Sequence, residues 1–285
     1  MVPRFDIDNN HYSPIFFNHK GDLLELNKSA TDFYTGIIID GRSSLLKASS
    51  GENSLLFLDK NGNLDNSFNN DSPLILEDIV KCTGLDYFKV CAQNNNIYLI
   101  GSSRLNNCNK KIIARYLGNG ALDTSFGKSG VIYVEDYAPF LKVTDVIEQE
   151  DGRIIVGGYG NEANLIRFKA EGFIDNSFGE NGVIQFRADY RSTCEQIAII
   201  NGDILFVGHQ SSGNDVNNVF VARLKIDGET DEDFYGEGHF SISIKGKIHF
   251  KNMLIDENKI TILCHIDVDA PLHNKAAMTR IIHNV

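Results

Sequence analysis

The chain has 285 residues, 42% hydrophobic and 23% charged, enough to bury a sizeable core either as two ordinary domains or as one large all-β domain. A formal charge of −11 speaks against binding a phosphate backbone, which needs a basic face to release counterions, and the longest cationic cluster is Lys110-Lys111. No span approaches the length of a membrane helix, and five cysteines without paired spacing (Cys82, Cys91, Cys108, Cys194, Cys264) suit a reducing compartment better than a disulfide framework or a zinc site.

In chain order, Met1-Val2-Pro3-Arg4-Phe5-Asp6 carries polar and acidic residues where an export signal needs an apolar run, so a cytoplasmic location is expected, although a processed secreted form would read the same. Ile7-Asp8-Asn9-Asn10-His11 then opens a series of related stretches. Leu64-Asp65-Asn66-Ser67-Phe68, Leu122-Asp123-Thr124-Ser125-Phe126-Gly127 and Ile174-Asp175-Asn176-Ser177-Phe178-Gly179 are strong copies, and Thr230-Asp231-Glu232-Asp233-Phe234 is a degraded one. The aspartates Asp8, Asp65, Asp123, Asp175 and Asp231 are separated by 57, 58, 52 and 56 residues, which marks five units.

Each unit holds a second signature, a turn followed by an apolar run. Asp151-Gly152-Arg153-Ile154-Ile155-Val156-Gly157-Gly158 and Asn201-Gly202-Asp203-Ile204-Leu205-Phe206-Val207-Gly208 are the clearest, with looser versions at Asp40-Gly41, Asn95-Asn96 and Asn258-Lys259. Short apolar runs bounded by Asx-Gly turns are strand and hairpin signals. A third run precedes each aspartate motif (Ile112–Tyr116, Asn164–Phe168, Phe220–Leu224, Met278–Ile281), and a fourth follows it, as in Gly130-Val131-Ile132 and Gly182-Val183-Ile184. About four strands per unit predicts a single domain, residues 1–285, folded as a five-bladed β-propeller with four-stranded blades. The chain begins at the aspartate motif and ends just before it. The strand Pro14–Phe17 is therefore expected to share a blade with Met278–Ile282, closing the ring and removing free sheet edges.

The alternation of an Asp-Gly-x-Ile-x-Val-Gly-Gly strand, an Ala-Arg-Leu-like strand and a Leu-Asp-x-Ser-Phe-Gly-x-x-Gly turn resembles the delta-60 repeat of bacterial β-propeller proteins. The resemblance spans nearly the whole chain, is most specific in the three middle units, and implies a propeller built of repeats. It implies no active site.

The repeated aspartate is expected to be a turn clasp, its carboxylate and the following serine accepting or donating backbone hydrogen bonds while Phe plugs the space beside them. Arg115, Arg167, Arg223 and Arg280 share one phase, eight residues before Asp123, Asp175 and Asp231 in the first three cases; each is expected to pair with its turn carboxylate, and Arg280 with Asp8 across the ring closure. An anion site is the rival reading for this row. Calcium binding at Asp59–Asp65 is disfavoured because the residue six before the aspartate is Leu117, Lys169 or Lys225 elsewhere. No metal or other cofactor is expected.

Positions that the repeat does not standardise are the candidate ligand-binding ones. After the apolar-Gly strand come Ala48, Ser102, Tyr159, His209 and His265 in successive units, a varied set on a constant scaffold. For the histidines, a surface or loop role outweighs metal binding or acid–base work. Irregular insertions at Arg104 to Lys111, Ser211 to Asn218 and Asp267 to Asn274 follow the same strand of different units, so Arg104, Asn214 and Asp269 are partner-binding candidates.

With no GxSxG, phosphate loop or Cys-His signature, the first expectation is a monomeric, non-catalytic binding module, not an enzyme, that recognises a protein partner through one propeller face, a basic partner being suited to its acidic surplus. Two alternatives stand beside it. One is a lectin-like propeller in which Tyr12, Tyr116, Tyr159, Tyr190 and Tyr235 stack on sugars, although the chain has no Trp. The other is a glycosidase-like hydrolase in which Asp32, Asp145 and Glu195 approach the central funnel as a carboxylate set.

Overall fold

The computed structural model describes strands at 4–6, 13–17, 23–24, 33–39, 42–49, 52–58 and 74–75, residue 69, and from residue 85 onward all but 106–107, 139–141, 187–190, 212–215, 244–246, 257–258, 268–274 and 283–285. It is all-β, as the period and turn chemistry predict, and every strand pairing is antiparallel. The chain divides into two compact units, Met1–Val134 and Glu135–Val285.

In the first unit, β1 (Arg4–Asp6), β2 (Ser13–Phe17) and β3 (Leu23–Leu24) form a small sheet. A four-stranded meander follows in β4 (Phe33–Ile39), β5 (Arg42–Ser49), β6 (Glu52–Leu58) and β7 (Leu74–Ile75). A second meander comprises β8 (Leu85–Gln93), β9 (Asn96–Leu105), β10 (Cys108–Leu117) and β11 (Val131–Tyr133). The turn between β8 and β9 places Asn94 and Asn95 at φ 49° and 63°, a left-handed conformation that Asn tolerates better than most residues.

The second unit stacks three sheets. The first is β12 (Lys142–Glu148), β13 (Ile154–Tyr159), β14 (Ala163–Phe168) and β15 (Val183–Phe186). In the next, β16 (Arg191–Ser192) and β17 (Gln196–Ile200) both pair with β18 (Asp203–Ser211), followed by β19 (Val216–Leu224) and β20 (His239–Ser243). The last is β21 (Lys247–Asp256), β22 (Lys259–Asp267) and β23 (Lys275–Ile282).

The continuous apolar runs have a simple cause. In β18, Ile204 and Phe206 pack with Ile155, Leu165, Phe178, Phe186 and Phe220, whereas Leu205 and Val207 pack on the opposite side with Val219, Phe234, Met253 and Ile262. A strand covered on both faces has no polar alternation. Burial of this kind stabilises by roughly 25 cal/mol per Å² of apolar surface removed from water, so both layers bind neighbouring sheets together.

One expectation about the termini changes, and a feature the sequence did not suggest is seen in the strands. The strand Ser13–Phe17 pairs with β1 and β3, and β23 pairs with β22, so the blade that these segments were expected to share is not formed by their hydrogen bonds. The new feature is in the inner strands. The first strand of several meanders carries a register break, between Leu85 and Tyr87, Val143 and Asp145, and Phe250 and Asn252, and in the β16–β20 sheet the break splits the strand into β16 and β17. Such bulges bend a strand and re-aim the side chains beyond them.

Candidate functional site

The Asp motif forms the same local device three times. The Nε of Arg115 donates to Asp123 at 2.8 Å, Arg167 does so to Asp175 at 2.8 Å, and Arg223 makes the same bond to Asp231. The other carboxylate oxygen accepts from the hydroxyl and backbone N–H two residues on, Ser125 at 2.6 and 3.1 Å and Ser177 at 2.7 and 3.2 Å, while Asp233 supplies only its N–H to Asp231. Each guanidinium lies over the following ring, 4.3 Å from Phe126, 4.4 Å from Phe178 and 4.8 Å from Phe234, adding a cation–π contact to the ion pair. Burial would raise the Asp175 carboxyl, but the Ser177 hydroxyl and N–H and the Arg167 charge overcome it and hold its pKa at about 2. Arg167 also donates to the Ile226 carbonyl at 2.6 Å, so its fork is engaged by protein atoms. Asp8 and the Arg280 side chain lie outside the described residues; the Arg280 backbone pairs with Thr261.

The unstandardised positions lie on β5, β9, β13, β18 and β22, toward the C-terminal half of each strand. Ser102 and Tyr159 are half-buried, and the Tyr159 hydroxyl accepts from Lys142 Nζ at 3.1 Å. His265 stacks on His249 across the β21–β22 pair, with ring centroids 5.9 Å apart. His209 is neither a loop nor a surface histidine. Its Nε2 accepts the backbone N–H of Phe250 at 3.2 Å, tying β18 to β21, and because an N–H can only donate, the ring proton sits on Nδ1, which is buried with no hydrogen-bond partner. Burial, helped by nearby His249 and Lys251, pushes the His209 pKa down to about 4. Among the described residues, no group of three or more His, Cys, Asp or Glu is placed to hold a metal. Arg104 lies in β9 with its side chain outside the described residues, and Asn214 and Asp269 lie outside them entirely.

The sign of the His209 shift makes a prediction. A histidine depressed from 6.5 to about 4 contributes stability that is fully present above pH 6.5 and is lost as pH falls through 4. Protonation would set a second N–H against that of Phe250. The thermal midpoint is expected to fall across this window, and His209→Gln, which keeps an acceptor, should flatten that limb; an unchanged profile in the variant would show that His209 does not carry it.

Of the funnel carboxylates, Asp145 and Glu195 lie among the described residues. Asp145 is 5% exposed and its Oδ2 accepts the Ile197 backbone N–H at 2.9 Å, fastening one sheet to the next. Gln196, at the equivalent register, grips Met253 in the same way, accepting from its N–H at 2.8 Å and donating to its carbonyl at 3.1 Å. Asp145 is thus a strap between sheets. The half-buried Glu195 donates its backbone N–H to Val207 at 2.8 Å, and Asp32 lies outside the described residues.

A different set of residues lines a cleft of about 930 Å³ within the second unit. Its walls come from Tyr137, the β13–β14 hairpin (Asn161, Glu162, Asn164), the turn into β15 (Glu180, Asn181) and Gln185 on β15. The Tyr137 ring is held edge-on to buried Phe168 at 5.1 Å, giving the wall a fixed aromatic element. Asn164 donates to the Glu162 carbonyl at 2.6 Å, and Arg191 donates to the Asn161 carbonyl and side-chain oxygens, so the hairpin is braced from both sides. Two carboxylates, four carboxamides and a phenol in one recess make a hydrogen-bonding surface suited to a hydroxyl-rich ligand. Sequence reading missed this set, because its members come from polar turns and single strand positions that share no linear pattern.

Two stretches match a β-propeller family. Residues 92–126 and 149–178 match the model described as a domain of unknown function (DUF5122) beta-propeller, a repeat-type propeller family. No curated protein sequence matches the chain. Among solved structures, the chain is similar to the polysaccharide lyase Uly1, with a TM-score of 0.51 at 14% identity over 88% of this chain and 58% of that one. It is also similar to a glycosyl hydrolase from Bacteroides ovatus (TM-score 0.45, 9% identity, 93% and 88%) and to the GH43 BlXynB protein from Bacillus licheniformis (TM-score 0.46, 11% identity, 87% and 52%). The chain spans about half the length of BlXynB.

The expectation of a non-catalytic protein-binding module, and with it the expectation that the chain is not an enzyme, is corrected by the fold likeness to a solved structure described as a polysaccharide lyase. The argument from missing motifs fails for a physical reason. Glycoside chemistry needs carboxylates that meet in space, supplied by separate loops and leaving no linear signature.

Proposed function

We propose that this protein is a glycan-processing enzyme of hydrolase type, working at the cleft between Tyr137, the β13–β14 hairpin and the turn into β15. The observation that carries this reading is the cleft itself, in which Glu162 and Glu180 are the carboxylates and Asn161, Asn164, Asn181 and Gln185 are the hydroxyl-binding amides. Glycosidic cleavage needs one carboxyl group to protonate the leaving oxygen and a second to activate water or attack the sugar. Both groups are present on one rigid hairpin-and-turn frame, and the aromatic wall at Tyr137 suits the apolar face of a sugar ring. The fold is compatible, since a polysaccharide lyase shares it. We also propose that the five sequence units belong to a single five-bladed ring, on the strength of their 57, 58, 52 and 56-residue spacing.

The test is release of reducing ends from a panel of polysaccharides and oligosaccharides. Turnover is expected from the intact chain, and Glu162→Gln and Glu180→Gln are each expected to lower kcat/KM by about 100-fold or more, the scale of lost acid–base catalysis. Activity that survives both substitutions would remove the cleft from consideration, and binding without release by the intact chain would replace the hydrolase with a lectin.

A further inference from the structure

We infer that β16, a two-residue strand of the neighbouring sheet, positions the cleft: Ser192 and Arg191 hold the hairpin that carries Glu162 against the end of β15. This rests on the glycan-processing reading and deepens it by naming positioning residues outside the cleft lining. The Ser192 hydroxyl accepts the Ala163 N–H at 3.3 Å and donates to the Phe186 carbonyl at 3.1 Å. Ala163 and Phe186 are the pair that ends the β14–β15 ladder, and Ala163 directly follows Glu162. One hydroxyl, on a residue 2% exposed, thus ties the base of the hairpin to the strand beside it. Arg191 adds a second tie, donating to the Asn161 carbonyl at 3.5 Å and to its side-chain oxygen at 3.3 Å. The strand that makes these ties is itself fixed. Arg191 and Ser192 pair with Ser211 and Gln210, and the Thr193 N–H donates to the His209 carbonyl while its hydroxyl accepts the His209 N–H, both at 2.9 Å. The next residue is held to β12, where Thr144 Oγ1 donates to the Cys194 carbonyl at 2.6 Å. Removing a buried hydroxyl that serves two backbone groups leaves both without that bond. Where two carboxyl groups must keep a set separation, a small shift of one wall is felt in the rate.

The test pairs amide hydrogen exchange of the intact chain with reducing-end release from the glycan it turns over. In Ser192→Ala the Ala163 amide is expected to exchange about tenfold faster while that of Phe206 in β18 is unchanged, and kcat is expected to fall about 10- to 100-fold with a smaller change in KM. Arg191→Ala, at an exposed position where the fold is retained, should act in the same direction and keeps the inference testable if Ser192→Ala does not fold. Arg191→Lys keeps the charge but loses the fork that spans both Asn161 oxygens, so it should stay impaired. Ser241→Ala is the control, because it removes a hydroxyl bond of the same sheet, to Gln210 Oε1 at 2.7 Å, from outside the cleft lining. Unchanged Ala163 exchange, a Ser192→Ala kcat within about twofold of wild type, or an equal loss in Ser241→Ala overturns the inference. Full activity in Arg191→Lys overturns it for Arg191, whose charge would then be what matters. If the intact chain turns over no glycan, the hydrolase reading falls, and the Ala163 exchange alone decides whether β16 holds the hairpin.

Discussion

Arg167→Ala is expected to destabilise the protein by about 3–5 kcal/mol, the cost of removing one partner from a buried ion pair. Arg167 is 2% exposed and Asp175 5%, and the guanidinium makes four separate contacts: Asp175, the Ser177 hydroxyl at 3.2 Å, the Ile226 carbonyl at 2.6 Å and the face of Phe178. Truncation leaves Asp175 with Ser177 and the long 3.4 Å contact to Arg153, and leaves the Ile226 carbonyl without that donor. Arg167→Lys keeps the charge but loses the planar fork, so it should fall between wild type and alanine. Urea unfolding gives the size, and a loss under about 1 kcal/mol for the alanine variant would refute the clasp's energetic role. Acid titration gives an independent check. Asp175, held at about 2 against an ordinary 3.8, contributes stability that is present above pH 3.8 and disappears as pH falls through 2, and this limb should be diminished in the variant. The consequence reaches the cleft, because Glu180 and Asn181 follow the clasp directly in the same turn.

The clasp was legible because its chemistry is local and repeated: an arginine eight residues before an aspartate, a hydroxyl two after it, then an aromatic ring and glycines at positive φ. Gly127 and Gly179 take φ 54° and 53°, and Tyr235 holds the same conformation at 55° where the third copy has lost its glycine. The strands were legible for a similar reason, since Asx-Gly turns bracket apolar runs of one length. Long-range features were not. The split of the inner strand at Thr193–Glu195 depends on what lies opposite it, and the separate pairing of Ser13–Phe17 depends on which neighbour wins the strand. The cleft lies between these cases. Glu180 stands where the copies at Asp123 and Asp231 have Lys128 and Gly236, a departure from the repeat, although nothing in the sequence showed that it lines one cleft with Glu162.

The second large effect belongs to a glycine with ordinary φ. Gly208→Ala is expected to cost about 3 kcal/mol, at the upper end of overpacking, because a Cβ there would sit 1.6 Å from the Thr193 carbonyl oxygen and 2.6 Å from its carbon. Those are backbone atoms, and they are not free to retreat: the Thr193 N–H donates to the His209 carbonyl at 2.9 Å, and the His209 N–H returns a bond to the Thr193 hydroxyl at 2.9 Å. Two other glycines supply the scale. At Gly157 an added Cβ meets the Cys194 sulfur and the Ile197 Cδ1, both at 2.6 Å, side-chain atoms that can give way. At Gly202 it meets nothing within 4 Å, and the penalty of φ +90° is a backbone strain of about 1–2 kcal/mol. The order of destabilisation should therefore run from Gly208 through Gly157 to Gly202 in urea unfolding. Gly208→Ala carries a second signature, because moving Thr193 away from β18 shifts His209, the next residue, relative to the Phe250 N–H that its ring accepts. Its stability profile between pH 6.5 and 4 should flatten as well as fall. A Gly208→Ala protein within about 1 kcal/mol of wild type, with the histidine limb intact, would show that the bulge moves freely and that the close approach of Thr193 is not what keeps glycine there.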